Sequence, residues 1–288
     1  MTLPRYPVVF LQYRALGDFV IAAQCLGRRR IEPGSGIELL AGEHLRPIAA
    51  VLDIHFPLRF FAHPERAIPA IIALRSQGML RGLKSAILLK GALHKAGIPR
   101  EALVIFEKLD KRERFLAAGF SATALPHAEN IYLAHDAMLD ALGLGMHDRV
   151  DRAPPAGPVR IYPGSRLPER HVPFKVVAEI LDTVSALGLP VELMLLEGER
   201  PDLETTGLPF TRVPRTFEAL IASIKGARKV ISADSMPAHL AEYLDTPIFV
   251  CSPTLKSYWL PRSAFTDGWT SLFDEGGGSE RLRRFLAA

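Results

Sequence analysis

The chain has 288 residues, 48% of them hydrophobic and 23% charged, which is typical of a globular protein with one large or two ordinary domains. No window approaches eighteen uncharged apolar residues, and the N-terminus lacks a basic region followed by an apolar block, so we expect neither a membrane-spanning helix nor a secretion signal. The net charge of +4 favours anionic partners such as nucleic acid, a phosphorylated small molecule or an anionic lipid surface. The absence of an aromatic platform and of any nucleic-acid-binding signature argues against nucleic acid.

The first half of the chain alternates between strand-like and helix-like segments. Strands are predicted at 8–13, 37–41, 57–61, 85–90 and 102–108, and helices at 19–29, 44–52, 65–78 and 128–142. Gly, Pro and charged residues are then concentrated in the segment of about 143–157, which has no apolar period and is predicted to be a linker.

The alternation restarts after this linker. Strands are predicted at 159–162, 191–196, near 210–213, 230–233 and 248–251, and helices at 174–186, 217–225, 237–244 and 279–288. The sequence therefore predicts an α/β protein with two doubly wound, Rossmann-like domains, residues 1–150 and 158–288, that face a cleft.

The two cysteines, Cys25 and Cys251, stand far apart in apolar surroundings. This is typical of reduced, buried thiols in a cytoplasmic protein. No spacing of His and Cys typical of zinc sites occurs, so no metal is predicted.

Four turns in this pattern follow a strand and precede a helix, where open α/β sheets bind ligands. In the first turn, Gly17 would permit a tight bend, and Asp18 would head the helix and point into the cleft. The sequence leaves two roles open for Asp18, which are an N-cap and a catalytic carboxylate. The glycine spacing differs from the dinucleotide-binding fingerprint, which argues against a dehydrogenase.

The second turn, residues 163–171, carries Ser165, Arg166, Arg170 and His171. Guanidinium groups at such a turn suit phosphate oxygens, although a solvated basic loop is the simpler reading for Arg166 alone.

The third turn carries Asp234, Ser235 and His239 at the start of a helix, where unpaired backbone N–H groups favour anions. Taken singly, Asp234 or Ser235 is explained as an N-cap and His239 as a core histidine. The presence of all three on one turn favours a ligand site. The fourth turn carries Ser252, Thr254 and Lys256, which are in reach of the same ligand.

Taken together, these turns resemble glycosyltransferase family 9, the heptosyltransferase-like enzymes of bacterial surface-polysaccharide assembly. The likeness spans nearly the whole chain in order and spacing. The residues that carry it are R-A-L-G-D at 14–18, P-G-S at 163–165, R-H-V-P at 170–173, D-S-M-P-A-H-L-A at 234–241, S-P-T at 252–254, and the segment 87–104 that leads through an A-G-I turn.

The resemblance implies a GT-B architecture with an N-terminal acceptor domain and a C-terminal nucleotide-sugar domain. It also implies metal-independent, inverting transfer from an ADP-linked sugar, without a cofactor, to an anionic glycan or glycolipid such as a lipopolysaccharide core intermediate. The location implied is cytoplasmic, with possible peripheral contact with the inner membrane.

In this reading Asp18 is the general base, because inversion needs one group to take the proton of the attacking hydroxyl. The acceptor-binding residues are Arg14, Gly17, Lys90 and His94. The donor-binding residues are Ser165, Arg166, Arg170, Asp234, Ser235, Met236, His239, Thr254 and Lys256.

Two glycines of the family pattern are missing, since Met236 and Ser252 stand in their places, and Arg170 and Val172 stand where the family has lysine and tryptophan. A side chain at Met236 hinders close approach of the backbone to a diphosphate, which predicts weak affinity for ADP-heptose or a different donor. Two other functions stay open: a catalytically silent binding or assembly protein of the same fold, and a sugar-nucleotide epimerase.

Overall fold

The computed structural model describes residues 6–32, 34–62, 79–147, 156–254 and 256–288. The chain forms two compact units, one of Met1–His127 with Leu133–Asp148 and one of Ala128–Tyr132 with Arg149–Ala288. The helix predicted at 65–78 lies outside the described residues, as does most of the predicted linker, so the proposed domain limits stay predictions. Within the described ranges, no helix is both long and apolar enough to cross a bilayer.

Unit 1 is built on a five-stranded sheet in which every pairing is parallel. The spatial order is β3-β2-β1-β4-β5. The strands are β1 (Val8–Gln12), β2 (Ile37–Gly42), β3 (Leu58–Phe61), β4 (Leu103–Phe106) and β5 (Ser121–Ala124). The helices are α1 (Leu16–Gly27), α2 (Arg46–Ala49), α3 (Met79–Lys95), α4 (Lys111–Ala117) and α5 (Ile131–Ala141), of which the first two residues, Ile131 and Tyr132, belong to unit 2.

Residues 85–90 were predicted to be a strand, and this prediction is wrong because they lie within α3. Ala86, Leu89 and Leu93 are buried at helical spacing against the sheet, whereas Leu83 and Ile87 are exposed. A short apolar run cannot be assigned to a strand or a helix by periodicity alone. The family-like segment 87–104 is therefore helix, turn and then β4.

Unit 2 has a six-stranded, all-parallel sheet with the spatial order β11-β10-β9-β6-β7-β8. The strands are β6 (Val159–Tyr162), β7 (Val191–Leu196), β8 (Thr211–Val213), β9 (Lys229–Ala233), β10 (Ile248–Ser252) and β11 (Thr270–Leu272). The helices are α6 (Phe174–Ala186), α7 (Pro201–Glu204), α8 (Phe217–Lys225), α9 (Met236–Tyr243), α10 (Arg262–Asp267) and α11 (Glu280–Ala287).

The core of unit 2 forms where the apolar face of α6 packs on the sheet. Val177 and Ile180 of α6 are fully buried with Ile161 and Phe249 of the sheet in one cluster. Strands buried on both faces read as continuous apolar runs, which is why these segments were recognisable in the sequence.

Both sheets are doubly wound, which confirms the predicted α/β class. The chain moves from β1 outward to β3 and then returns to the other side of β1 with β4. It does the same in unit 2, from β6 outward to β8 and back to β9 beside β6. Each reversal opens a crevice at the carboxyl ends of two neighbouring strands, where doubly wound proteins bind ligands.

Candidate functional site

The crevice of unit 2 begins with the turn after β6. A Cβ on Gly164 would lie 2.0 Å from Glu199 Oε2, so only glycine lets this carboxylate approach the turn so closely. Ser165 is buried, and its hydroxyl accepts a hydrogen bond from the Leu167 N–H at 3.3 Å. His171 Nε2 donates to the Ser165 carbonyl at 2.7 Å, which closes the turn into a fixed loop.

The buried guanidinium of Arg200 holds this loop in place through hydrogen bonds. Its Nη1 donates to the carbonyls of Pro163 and Val172 at 3.1 and 2.9 Å, the two ends of the loop. Its other nitrogens form a bidentate pair with Asp202 at 2.8 and 2.7 Å. Arg200 therefore fixes the position from which Arg170 extends.

The turn after β9 contacts the loop after β6 directly. Arg170 Nη1 lies 3.2 Å from Asp234 Oδ2, and the Ser235 hydroxyl lies 3.1 Å from the Gly164 carbonyl, to which it can donate. The structure thus brings together four of the predicted donor-binding residues, Ser165, Arg170, Asp234 and Ser235.

An open crevice of about 320 Å³ lies beside the Arg170–Asp234 pair. Its lining is Glu169, Arg170, Asp234, Pro253, Thr254 and Lys256. Burial raises the pKa of Asp234, while the charges of Arg170 and Lys256 oppose that rise. A carboxylate paired with one arginine leaves further donors of that guanidinium and the Lys256 ammonium for a second anion.

His239 lies one turn into α9 and is buried. Its Nδ1 is 3.0 Å from the hydroxyl of Tyr132. Burial, together with the charge of Arg170, lowers the pKa of His239 to about 4. The ring is therefore neutral at neutral pH, so it can serve a ligand only through hydrogen bonding and adds no positive charge.

The remaining predicted donor-binding residues are more exposed or lie outside the lining of the crevice. Arg166 is exposed, as are Thr254 and Lys256. Met236 is the first residue of α9, and it is not among the residues that line the crevice. Asp245 is the only non-glycine residue with positive φ in the described part of the chain, so the backbone at Met236 does not require glycine. The effect of Met236 on donor choice stays a prediction.

The crevice of unit 1 lies at the carboxyl end of β1, where α1 begins at Leu16 rather than at the predicted residue 19. The N-cap is Ala15, so Asp18 is not the N-cap but lies inside the first turn. Gly17 is already helical and is absent from the glycines with positive φ, so the expected tight bend at Gly17 does not occur. A carboxylate in a first helical turn is stabilised by the helix dipole.

Arg14, the expected acceptor ligand, is held inside unit 1. Its guanidinium pairs with Glu113 of α4 and lies 3.7 Å from Glu107, which directly follows β4. The Tyr13 hydroxyl donates to Glu113 at 3.1 Å, and burial raises the pKa of Tyr13 to about 12. Only 15% of the Arg14 side chain is exposed, so Arg14 is better placed to organise this cluster than to contact a large acceptor.

Lys90 and His94 do not lie at this crevice. His94 stacks on Phe120, which precedes β5 and therefore lies at the opposite, amino edge of the sheet. Lys90 stands one turn earlier, with its ammonium 4.6 Å from the ring centre of Phe115. The structure therefore separates these two predicted acceptor residues from Arg14 and Gly17.

The described residues contain no group of three or more His, Cys, Asp or Glu side chains arranged to hold a metal ion. Both cysteines are buried and unpaired by disulfide, as expected.

Several residues that line the two crevices, or that hydrogen-bond to residues or loops beside them, were not predicted from the sequence. They are Tyr13, Glu107, Glu113, Tyr132, Glu169 and Arg200. A signal existed for Glu107, because it is a carboxylate near the end of the segment predicted as a strand at 102–108 and so resembles Asp234 after β9. Glu113 and Arg200 gave no comparable signal, since each is defined by contacts with residues distant in sequence.

Comparison with protein-family models and with curated protein sequences finds no match. Comparison with solved structures finds the same fold in glycosyltransferases. A glycosyl transferase family 9 protein from Veillonella parvula matches with a TM-score of 0.60 and 15% identity, over 94% of this chain and 86% of that one. The E. coli heptosyltransferase WaaC with ADP matches with a TM-score of 0.58 and 13% identity, over 92% of each chain.

A third similar structure is the E. coli ADP-heptose LPS heptosyltransferase II, with a TM-score of 0.55, 13% identity and 98% of each chain covered. The fold expected from the resemblance to glycosyltransferase family 9 is therefore confirmed.

Proposed function

We propose that this chain is a glycosyltransferase of the heptosyltransferase type. It transfers a sugar from a nucleotide-diphosphate donor, with inversion and without a metal, to an anionic surface-glycan or lipopolysaccharide acceptor. The observation that carries the proposal is the Arg170–Asp234 pair beside the crevice in unit 2. The fold shared with heptosyltransferases supports the same class.

The chemistry that this crevice can perform is stabilisation of a leaving diphosphate. In the transferase reaction the bond between the anomeric carbon and the diphosphate breaks, so negative charge grows on the departing oxygen. Arg170 and Lys256 supply positive charge there, and the N-terminus of α9 supplies the positive end of a helix dipole. These groups replace a metal ion in the proposed mechanism.

The general base belongs to unit 1 in this proposal. Asp18 removes the proton from the acceptor hydroxyl as its oxygen attacks the anomeric carbon, and the proton then passes to water. The acceptor class is proposed by analogy with the LPS heptosyltransferase II among the similar structures, and the positive net charge is compatible with it. A cytoplasmic location, with peripheral contact with the inner membrane, is part of the same proposal.

Replacing Arg170 tests the donor site directly. We expect Arg170→Ala to raise the Kd for ADP about tenfold, because one charge-assisted contact with a phosphate is lost. Isothermal titration measures this change, with UDP and GDP as comparison ligands. If none of ADP, UDP and GDP binds the wild-type protein, the proposed donor class is contradicted.

The matched control is Arg166→Ala, because Arg166, although predicted to bind the donor, is exposed and does not line the crevice. It should leave the Kd for ADP nearly unchanged. An equal loss of ADP affinity in both variants would mean that the general positive charge of the loop attracts the nucleotide, and that the Arg170–Asp234 pair does not.

Removal of divalent cations tests the metal-free mechanism. We expect a chelator in excess to leave sugar transfer from the donor unchanged, because arginine and lysine side chains carry the charge stabilisation. Activity is followed by release of the nucleoside diphosphate. Loss of activity that returns with Mg²⁺ would contradict this mechanism, since the cation would then stabilise the leaving group.

A further inference from the structure

Helix α3 carries large apolar side chains on its outer face as well as on the face that packs against the sheet. Leu89 and Leu93 are buried in the core of unit 1. Leu83 and Ile87 point the other way and are each 54% exposed, more than any other large apolar side chain in the described part of the chain, and Leu88 beside them is exposed too. Three such residues side by side form a patch, which a helix covered only by water does not need.

The same face is basic. Residues 66–100 contain seven Arg or Lys residues and no Asp or Glu, although the whole chain has 35 basic and 31 acidic residues. Lys84 and Lys95 are exposed and stand four residues before and seven residues after Leu88, so the three share one stripe of the helix. Positive charge and apolar surface are therefore interleaved on the outer face of α3.

Helix α4 extends this surface. Lys90 Nζ of α3 lies 4.6 Å from the ring centre of Phe115, which is exposed. Lys111 and Arg114 of α4 are also exposed, whereas Glu113, the only acidic residue of α4, is buried. We call this surface the α3 face, and its members are Leu83, Lys84, Ile87, Leu88, Lys95 and Phe115.

We propose that the α3 face docks on a bilayer surface that contains anionic phospholipids. Its apolar side chains enter the boundary between headgroups and acyl chains, while the lysine ammonium groups stay at the level of the lipid phosphates. This proposal deepens the peripheral membrane contact of the proposed function by naming the surface that makes it. It rests on that location and not on the transfer reaction.

The composition of the α3 face favours lipid over other partners. Protein–protein interfaces are depleted in lysine and enriched in aromatic residues, Met and Arg, whereas lysine and aliphatic residues predominate here. A nucleic acid would neutralise the lysines but would leave Leu83, Ile87 and Leu88 in water. An anionic bilayer matches both halves of the face, because its phosphates lie directly above an apolar layer.

The test is sedimentation of the full chain with vesicles of equal parts phosphatidylglycerol and phosphatidylcholine, compared with phosphatidylcholine alone. We expect the anionic vesicles to bind the protein far more strongly. Replacing both Lys84 and Lys95 by Ala should weaken this binding roughly 25-fold, since each lysine at an anionic surface contributes about fivefold. Replacing both Lys175 and Lys225 by Ala removes the same charge from exposed positions of unit 2 and is the matched control.

The apolar half of the face is tested by Leu83→Ser. We expect this variant to bind the anionic vesicles about five- to tenfold more weakly, because the leucine side chain no longer enters the bilayer. Leu187→Ser is the matched control, since Leu187 is 48% exposed in unit 2. Affinity for ADP should be the same in all these variants as in the wild type.

The proposal is overturned if the wild type does not bind anionic vesicles, or if the α3 variants bind them as the controls do. It is also overturned if Leu83→Ser lowers the Tm while Leu187→Ser does not, because another part of the chain would then cover the face. A dimer that Leu83→Ser dissociates in gel filtration would assign the face to a second copy, with the same consequence. Vesicle binding through the α3 face by a protein that binds none of ADP, UDP and GDP would uphold the docking surface and refute the proposed function instead.

Discussion

Asp18→Asn is expected to lower kcat about 10²- to 10⁴-fold while the Kd for the nucleotide donor stays nearly the same. Asparagine keeps the shape and the hydrogen-bonding capacity of aspartate, but its amide cannot take a proton from the attacking hydroxyl. Donor binding is spared because the proposed donor residues belong to unit 2. Steady-state kinetics measures kcat, and isothermal titration with ADP measures the donor Kd.

The same substitution separates catalysis from helix stabilisation. Removing one negative charge from the first turn of a helix costs only about 0.3–1 kcal/mol of stability. Glu218→Gln also removes a negative charge from the first turn of a helix, at an exposed position of α8, and serves as the control. Turnover of Asp18→Asn close to that of Glu218→Gln would refute the assignment of the base.

The segments of unit 2 were the most predictable part of the fold. Helices α6 (Phe174–Ala186) and α8 (Phe217–Lys225) match their predicted limits, and a local signal marks where each of them begins. Pro173 precedes α6, and the Thr216 hydroxyl caps α8 by accepting from the Ala219 N–H at 3.2 Å. Such signals depend only on neighbours in sequence.

The prediction at residues 85–90 was wrong because local signals are missing there. The surrounding residues contain no proline, and the apolar run is as short as a strand. Only tertiary packing shows that Leu89 and Leu93 face the sheet while Ile87 and Leu88 face solvent. Strand β11 and helix α4 were not predicted for a related reason. Elements of three to seven residues contain too few apolar positions to show a hydrophobic periodicity.

The sequence indicated which turns carry polar groups, but not which of them meet. Arg170 and Asp234 are 64 residues apart, and Arg14 and Glu113 are 99 apart. Their proximity follows from strand order, which places β9 beside β6 and β4 beside β1. No local pattern in the sequence encodes this order.

Arg200→Ala is expected to lower the stability of unit 2 by roughly 2–4 kcal/mol, which for a unit of this size lowers the Tm by roughly 5–12 °C. The substitution removes a side chain that is only 2% exposed, and it leaves the Pro163 and Val172 carbonyls without this donor. Thermal unfolding followed by circular dichroism measures the change. Arg212→Ala is the matched control, because Arg212 pairs with Glu204 at the surface and its loss should cost less than about 0.5 kcal/mol.

Affinity for the donor should fall together with stability in the Arg200 variant. Arg200 holds both ends of the loop that carries Arg170, so without it the Arg170 guanidinium samples more positions and loses part of its contact with a diphosphate. Arg200→Lys should recover part of both effects, since an ammonium can donate to one or both carbonyls but cannot form the fork with Asp202. A variant that unfolds earlier yet binds ADP as the wild type does would show that the loop keeps its shape without Arg200, and that the support comes from His171 and the Val172 N–H alone.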